Sequence, residues 1–258
     1  MTRTRRGTLR AAGVTLCAGL LLGTLAACGD DSGGSGGGIA DKSAKEISDA
    51  AQQALLDAKS LKMQLDSGGA ATGGGPESFE LAVDQDGNCA GTFEMGAGKG
   101  SFDILKRGDK VWIKADKDFW KTMGGPQGGA IATLLGDRYL VGDANDPQMS
   151  ELSSSCNLKE LQKEMESDND SDNVKKGGTS SVDGQETITI EATEDGEKST
   201  IDVATEGEPY PLKIVSNEDG KEQTVLLSDY DKPVPSDTPP ASETVDIKEL
   251  QKQQQQQS

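Results

Sequence analysis

Histidine is missing from the sequence altogether. Its absence excludes a Ser-His-Asp triad, a Cys-His pair and a catalytic zinc built on imidazole. Aromatic residues are scarce, at 3%. Leu, Ile, Val and Phe supply only about 17% of residues 28–258, and below roughly 20% a strongly charged chain has trouble assembling a core. The core is therefore expected to be lean, or built around a cavity rather than filled solid. Long apolar runs are also lacking. The stretch Val14 to Leu22, interrupted by Gly19 and followed by Gly23, is too short to span a bilayer comfortably.

Basic residues are outnumbered, 26 to 44. The basic residues of positions 1–27 are Arg3, Arg5, Arg6 and Arg10, and no acid occurs there, so residues 28–258 carry a formal charge of −22. Such a surface repels nucleic acid and anionic headgroups, and neither is expected as a partner of the body. With so many carboxylates, nearly all must be solvated surface, and none is marked out as a catalytic pair. The chain is expected not to be an enzyme and to need no cofactor or metal.

The positive opening, the short apolar stretch and the small residues before Cys28 form the three regions of an export signal. Leu25-Ala26-Ala27-Cys28 resembles the bacterial lipobox. That resemblance implies that residues 1–27 are removed and that Cys28 receives lipid, placing the protein on the extracytoplasmic face of the cell membrane. An ordinary secretory signal with an incidental Cys is the alternative. Thr4-Arg5-Arg6-Gly7-Thr8-Leu9-Arg10 also looks like a twin-arginine motif, with Thr8 where an aromatic is usual, and both export routes fit. Residues 28–40 are a Gly/Ser-rich tether of the kind a lipid anchor needs.

Cys17 leaves with the signal and Cys28 is acylated, so Cys89 and Cys156 remain. In an exported protein an even remainder reads as a disulfide, with two buried free thiols as the alternative.

Hydrophobic periodicity then divides the body, residues 41–232. Ser43 and Glu46 form a capping-box pattern, and Ile47, Ala51, Ala54, Leu55, Ala58 and Leu61 follow at helical spacing. Period-two segments at 79–83, 92–95, 102–106 and 111–115 read as strands, with Arg107-Gly108-Asp109-Lys110 as a hairpin. Asp116 to Trp120 ends this meander and brings two large aromatics together. A helix is expected at 130–135, a strand at 138–141, a helix from Asp146-Pro147, and a helical stripe at Leu158, Leu161 and Met165. Strands return at 187–192, 200–205, 212–216 and 224–228, between Asp-Gly turns. Residues 233–258 read as a Pro/Gln-rich, mostly disordered tail with a short ordered piece near Val245-Asp246-Ile247.

Two motif-like strings depart from their patterns: the first reads as a turn between strands, the second as a solvated loop with weak calcium binding as the alternative. Gly96-Ala97-Gly98-Lys99-Gly100 lacks the Gly and the Ser/Thr of a phosphate loop, with Phe93 and Gly100 in their places. Asp168-Asn169-Asp170-Ser171-Asp172 opens like a calcium loop, but Asn173 stands at the turn glycine and Thr179 at the bidentate Glu.

Gly108-Asp109-Lys110-Val111-Trp112-Ile113-Lys114 and Phe119-Trp120, with Gly207-Glu208-Pro209-Tyr210-Pro211-Leu212 and Ser228-Asp229-Tyr230, resemble the LppX/LprG family of actinobacterial lipoproteins over residues 40–250. The resemblance implies an α+β fold in which a curled antiparallel β-sheet, the half-barrel of LolA, encloses helices and an apolar cavity. It also implies a lipid or lipoglycan ligand, carried between membrane layers. The candidate cavity residues are Trp112, Phe119 and Trp120, with ordinary core packing as the competing role. In strand alternation Trp112 faces opposite to Val111 and Ile113, so only one of those faces can look inward. A structural or interaction lipoprotein that docks an envelope partner and binds no small molecule is the alternative function.

Overall fold

The computed structural model describes residues 38–68, 75–167, 173–194, 197–218 and 220–255. The expected signal, Cys28 and most of the tether lie outside these residues, as do the acidic run 168–172 and the Asp195-Gly196 turn.

Helix α1 (Ala44–Asp57) starts where the capping box places it. The Ser43 side chain accepts from the Glu46 N–H at 3.3 Å and the Ser43 N–H donates to Glu46 Oε2 at 2.9 Å. The helix buries Ile47, Ala51, Ala54 and Leu55. It does not extend to Leu61. Ala58 turns extended, the Lys59 N–H donates to Asp231 Oδ1 at 2.8 Å, and strand β1 (Ser60–Asp66) begins. Leu61 fits both the helical stripe and the alternation Leu61, Met63, Leu65, and pairing with distant strands decides between them.

The meander follows as β2 (Ser78–Asp84), β3 (Cys89–Glu94), β4 (Ser101–Arg107) and β5 (Lys110–Ala115). Two short helices come next, α2 (Lys117–Met123) and α3 (Gly128–Leu135), then β6 (Tyr139–Asp143), α4 (Pro147–Ser154) and α5 (Leu158–Ser167). Phe119 and Trp120 do end the meander, but on a helix. Asp116 caps α2 by accepting from the Phe119 N–H at 2.8 Å, as a short acidic side chain at this position does well. Burial pulls the Asp116 carboxyl upward, yet hydrogen bonds from Phe119 and Ser101 outweigh it and hold the group below its usual range.

The second meander comprises β7 (Val174–Val182), β8 (Gln185–Glu194), β9 (Glu197–Ala204), β10 (Pro211–Glu218) and β11 (Lys221–Ser228). Strand β7 was not expected. Its Lys-Lys-Gly-Gly-Thr-Ser-Ser run shows no apolar alternation, and its pairing with β8 slips between Lys176 and Thr179. The ordered piece expected near Val245 is present as β12 (Thr244–Asp246) and continues into α6 (Ile247–Gln255). More of the tail is ordered than composition suggests, because Val245, Ile247 and Leu250 join the main core.

The strands of the described residues form one 12-stranded sheet in the order β12-β6-β5-β4-β3-β2-β1-β11-β10-β9-β8-β7. Neighbours are antiparallel except β12 with β6. The sheet is open, with β7 and β12 at its edges. This is the α+β, predominantly antiparallel architecture expected. Two apolar clusters lie on it. The larger covers β1 to β6 under α2 to α6, and the smaller sets Ile47 and Ala51 of α1 against Ile188, Ile190 and Val203. Cys89 of β3 and Cys156, between α4 and α5, form the disulfide, with Cα atoms 5.3 Å apart.

Candidate functional site

Residues directly opposite one another in neighbouring antiparallel strands share a face. Tracing register across the sheet therefore shows what its helix-bearing face presents. Met63 stands beside Leu81, and the row continues through Gly91, Ile104, Ile113 and Leu140. Gly91 is required there: a Cβ would run into the backbone of Glu80 and Leu81. This row is covered almost throughout.

The next row is different. From Leu65 it runs one way through Phe79, Phe93 and Phe102, and the other way through Val225, Ile214, Ile201 and Ile190. Its two flanks are buried, at Ile190 under α1 and at Phe93 and Phe102 under the helical insert. Between them Ile201, Ile214, Val225, Leu65 and Phe79 are only half-buried. An apolar strip thus lies partly open between two covered ends of one face, with all of its residues but Leu65 packed against one of the two clusters.

On one side the strip runs into a ladder of rings. Phe79 and Phe93 are 5.3 Å apart, Phe93 and Phe102 stack at 4.8 Å, and Phe102 meets Phe119 at 4.8 Å. Phe119 then meets Trp120 edge-on at 5.4 Å. All four phenylalanines of the chain stand in this ladder. Phe119 is 2% exposed and Trp120 9%, so these two close the inner end of the strip as core. The Trp120 Nε1–H is buried with no acceptor among the described residues.

Trp112 lies elsewhere. It pairs with Leu105 and Val141 on the opposite face, while Val111 and Ile113 are buried. The three candidate aromatics do not share a face. The half-buried apolar row of Ile201, Ile214, Val225, Leu65 and Phe79 is not singled out by the sequence. Their alignment depends on register, for which strand periodicity alone carries no signal.

The strip is not an enclosed cavity. One described cleft, of about 470 Å³, is lined by Ala40, Thr179, Ser180, Ser181, Glu186, Thr187 and Thr205, where Ser180 Oγ and Thr187 Oγ1 are 2.8 Å apart. Another, of about 390 Å³, includes Gln64, Glu80, Thr92 and Glu94. In it the Gln64 side chain donates to Glu80 at 2.6 Å and Lys62 pairs with Glu80 at 2.7 Å. The first cleft is lined mainly by polar groups, the second also takes in Leu65 and Phe79 of the strip, and neither includes Trp112, Phe119 or Trp120.

The segments 207–212 and 228–230, far apart in sequence, meet through their tyrosines. Tyr210 and Tyr230 stack at 3.9 Å, nearly parallel. The Tyr210 hydroxyl donates to Asp231 at 3.0 Å and the Tyr230 hydroxyl to the Pro211 carbonyl at 2.5 Å. Burial pushes both phenols up, Tyr210 to about 12 with help from Asp231, and Tyr230 further. Asp231 also holds the start of β1 through the Lys59 N–H. The pair is a joint that fixes β1 against β10 and β11.

No protein-family model matches the chain, and no curated protein does. Among solved structures, the chain is similar to LprF from Mycobacterium bovis, at 15% identity over 76% of this chain and 96% of that one, with a TM-score of 0.51. The lipoprotein LppX from Mycobacterium tuberculosis aligns at 16% identity over 75% of this chain and 98% of that one, with a TM-score of 0.49. The likeness to LprF shows a shared fold, the one that the motif resemblance implied. Among the described residues no helix is long and apolar enough to cross a membrane.

Proposed function

We propose that the chain is an extracytoplasmic lipoprotein, held at the cell membrane by lipid on Cys28, whose body binds a hydrophobic or lipidic ligand along the half-open apolar strip. One observation carries this reading: Ile201, Ile214, Val225, Leu65 and Phe79 lie in one register row, half-buried, between flanks that are covered. A chain with so few apolar residues gains by covering them. A hydrocarbon chain laid along the row would bury further apolar surface on both partners, contributing roughly 0.8 kcal/mol per methylene removed from water.

In this reading Phe93, Phe102, Phe119 and Trp120 form the solid end against which the ligand stops, and Trp112 has no part in binding. The acidic outer surface keeps the body in solution beyond its tether. No catalysis is assigned, because the groups gathered at the strip are hydrocarbon and carry no nucleophile or base.

Binding of a fluorescent fatty acid tests the proposal. Wild type binds it and shifts its emission to the blue. Val225→Glu places a charge in the middle of the row and abolishes the signal, whereas Trp112→Ala on the other face leaves it unchanged. Equal binding by wild type and Val225→Glu would contradict the proposal.

A further inference from the structure

The row Ile201, Ile214, Val225, Leu65 and Phe79 has two fixed ends. At one, the next residue is Ile190 of β8, fully buried in the cluster that α1 closes with Ile47 and Ala51. At the other it is Phe93 of β3, buried and stacked on Phe102, which in turn meets Phe119 of α2. The half-buried stretch therefore begins and stops at solid packing.

The row is also narrow. On one side its neighbours are Leu81, Met63 and Leu227, of which Leu81 and Leu227 are buried. On the other side β8 to β11 set Ala192, Ser199, Ser216 and Gln223 opposite one another. Each stands two residues from a member of the row or from Ile190, and so on the same face. Covering the hydroxyls and the amide with hydrocarbon would cost free energy. Apolar surface is thus offered one row wide, with a stop at each end.

We propose that the strip holds a single hydrocarbon chain laid across the strands and sets its length, with Phe93 and Ile190 as the two stops. The inference rests on the lipid-binding reading given above and narrows the ligand to an amphiphile with one chain in the strip. Neighbouring strands lie about 4.8 Å apart, so the four steps from Ile201 to Phe79 cover about 19 Å. An extended hydrocarbon, with bonds of about 1.5 Å at roughly tetrahedral angles, advances about 1.25 Å per carbon. The half-buried stretch therefore accepts a chain of about 16 carbons. Each methylene that fits adds to binding, and each beyond the stops stays in water and adds nothing.

The test is displacement of the fluorescent fatty acid from the full chain, as purified from its host membrane, by saturated fatty acids of increasing length. The series runs from ten to twenty carbons, each acid kept below the concentration at which it forms micelles. Potency should rise about three- to fourfold per added methylene and level off at about 16 carbons. Phe93→Ala removes one stop and should move the break to longer chains, by at most one strand spacing or about four carbons. Ile201→Phe fills the other end from a half-buried position and should move the break to shorter chains. Either shift supports the inference, so a Phe93→Ala chain that fails to fold leaves Ile201→Phe to decide. A steady gain through twenty carbons, or a break that neither variant moves, would overturn the inference and leave the strip as a binding surface. Failure of wild type to bind the dye or any of the acids would remove the lipid-binding reading itself, and this inference with it.

Discussion

Tyr210 and Tyr230 show how much single side chains contribute here and how little of it is visible in sequence. Their segments were among those that carried the family resemblance, but nothing in the sequence places one ring on the other at 3.9 Å. Only the antiparallel pairing of β10 and β11 does so. The pair carries a pH dependence whose sign is fixed. Both phenols have raised folded-state values, so folding favours the neutral form. Their contribution is complete below about pH 10, the unfolded value. It is lost as pH rises further, since the unfolded chain ionises first. Chemical denaturation between neutral pH and pH 11 should show stability falling above about pH 10, and the fall should be smaller in Tyr230→Phe. The candidate aromatics tell a similar story. Alternation correctly set Trp112 against Val111 and Ile113, and proximity correctly grouped Phe119 with Trp120. The three other phenylalanines, spaced along three strands, joined that group only through register.

Among elements, those with clean periodicity and punctuation were legible: α1 with its capping box, β2 to β5, α3 to α5, and β8 to β11. Strand β1 was not, because Leu61 satisfies two periods and the hydrogen bonds that favour the strand come from Asp231 and Lys232, far along the chain. Strand β7 was hidden for the opposite reason, since a polar edge strand buries little and shows no pattern. Of the β12–α6 segment the piece near Val245 was legible, but the extent of α6 was masked by proline and glutamine around it, and Leu250 gains a clear placement only once the sheet edge at β6 is known. The disulfide binds the helical insert to the meander at this scale. It closes a loop with a sequence separation of 67. In the chain-entropy account a loop of this length stabilises by about 4 kcal/mol. The double variant Cys89→Ala, Cys156→Ala should therefore unfold at markedly lower denaturant concentration, with the spectrum of its strands kept. An unchanged midpoint would show that the link adds nothing.

For the whole molecule, composition alone warned that the core would be lean, and the structure shows how a lean core is spent. Apolar residues are concentrated on one face of a single open sheet, covered well at its ends and incompletely in its middle. The class of architecture was legible because meander, helical insert and second meander follow one another in order. The open strip was not, because it depends on which strands are neighbours, above all on β1 standing between β2 and β11. The central claim is that this strip is a binding surface. Native mass spectrometry of the protein purified from its host membrane tests it most directly. The claim predicts a population heavier than the acylated chain by the mass of a lipid, lost in Val225→Glu and retained in Trp112→Ala. A single species at the mass of the acylated chain alone, in wild type and variants alike, would contradict it.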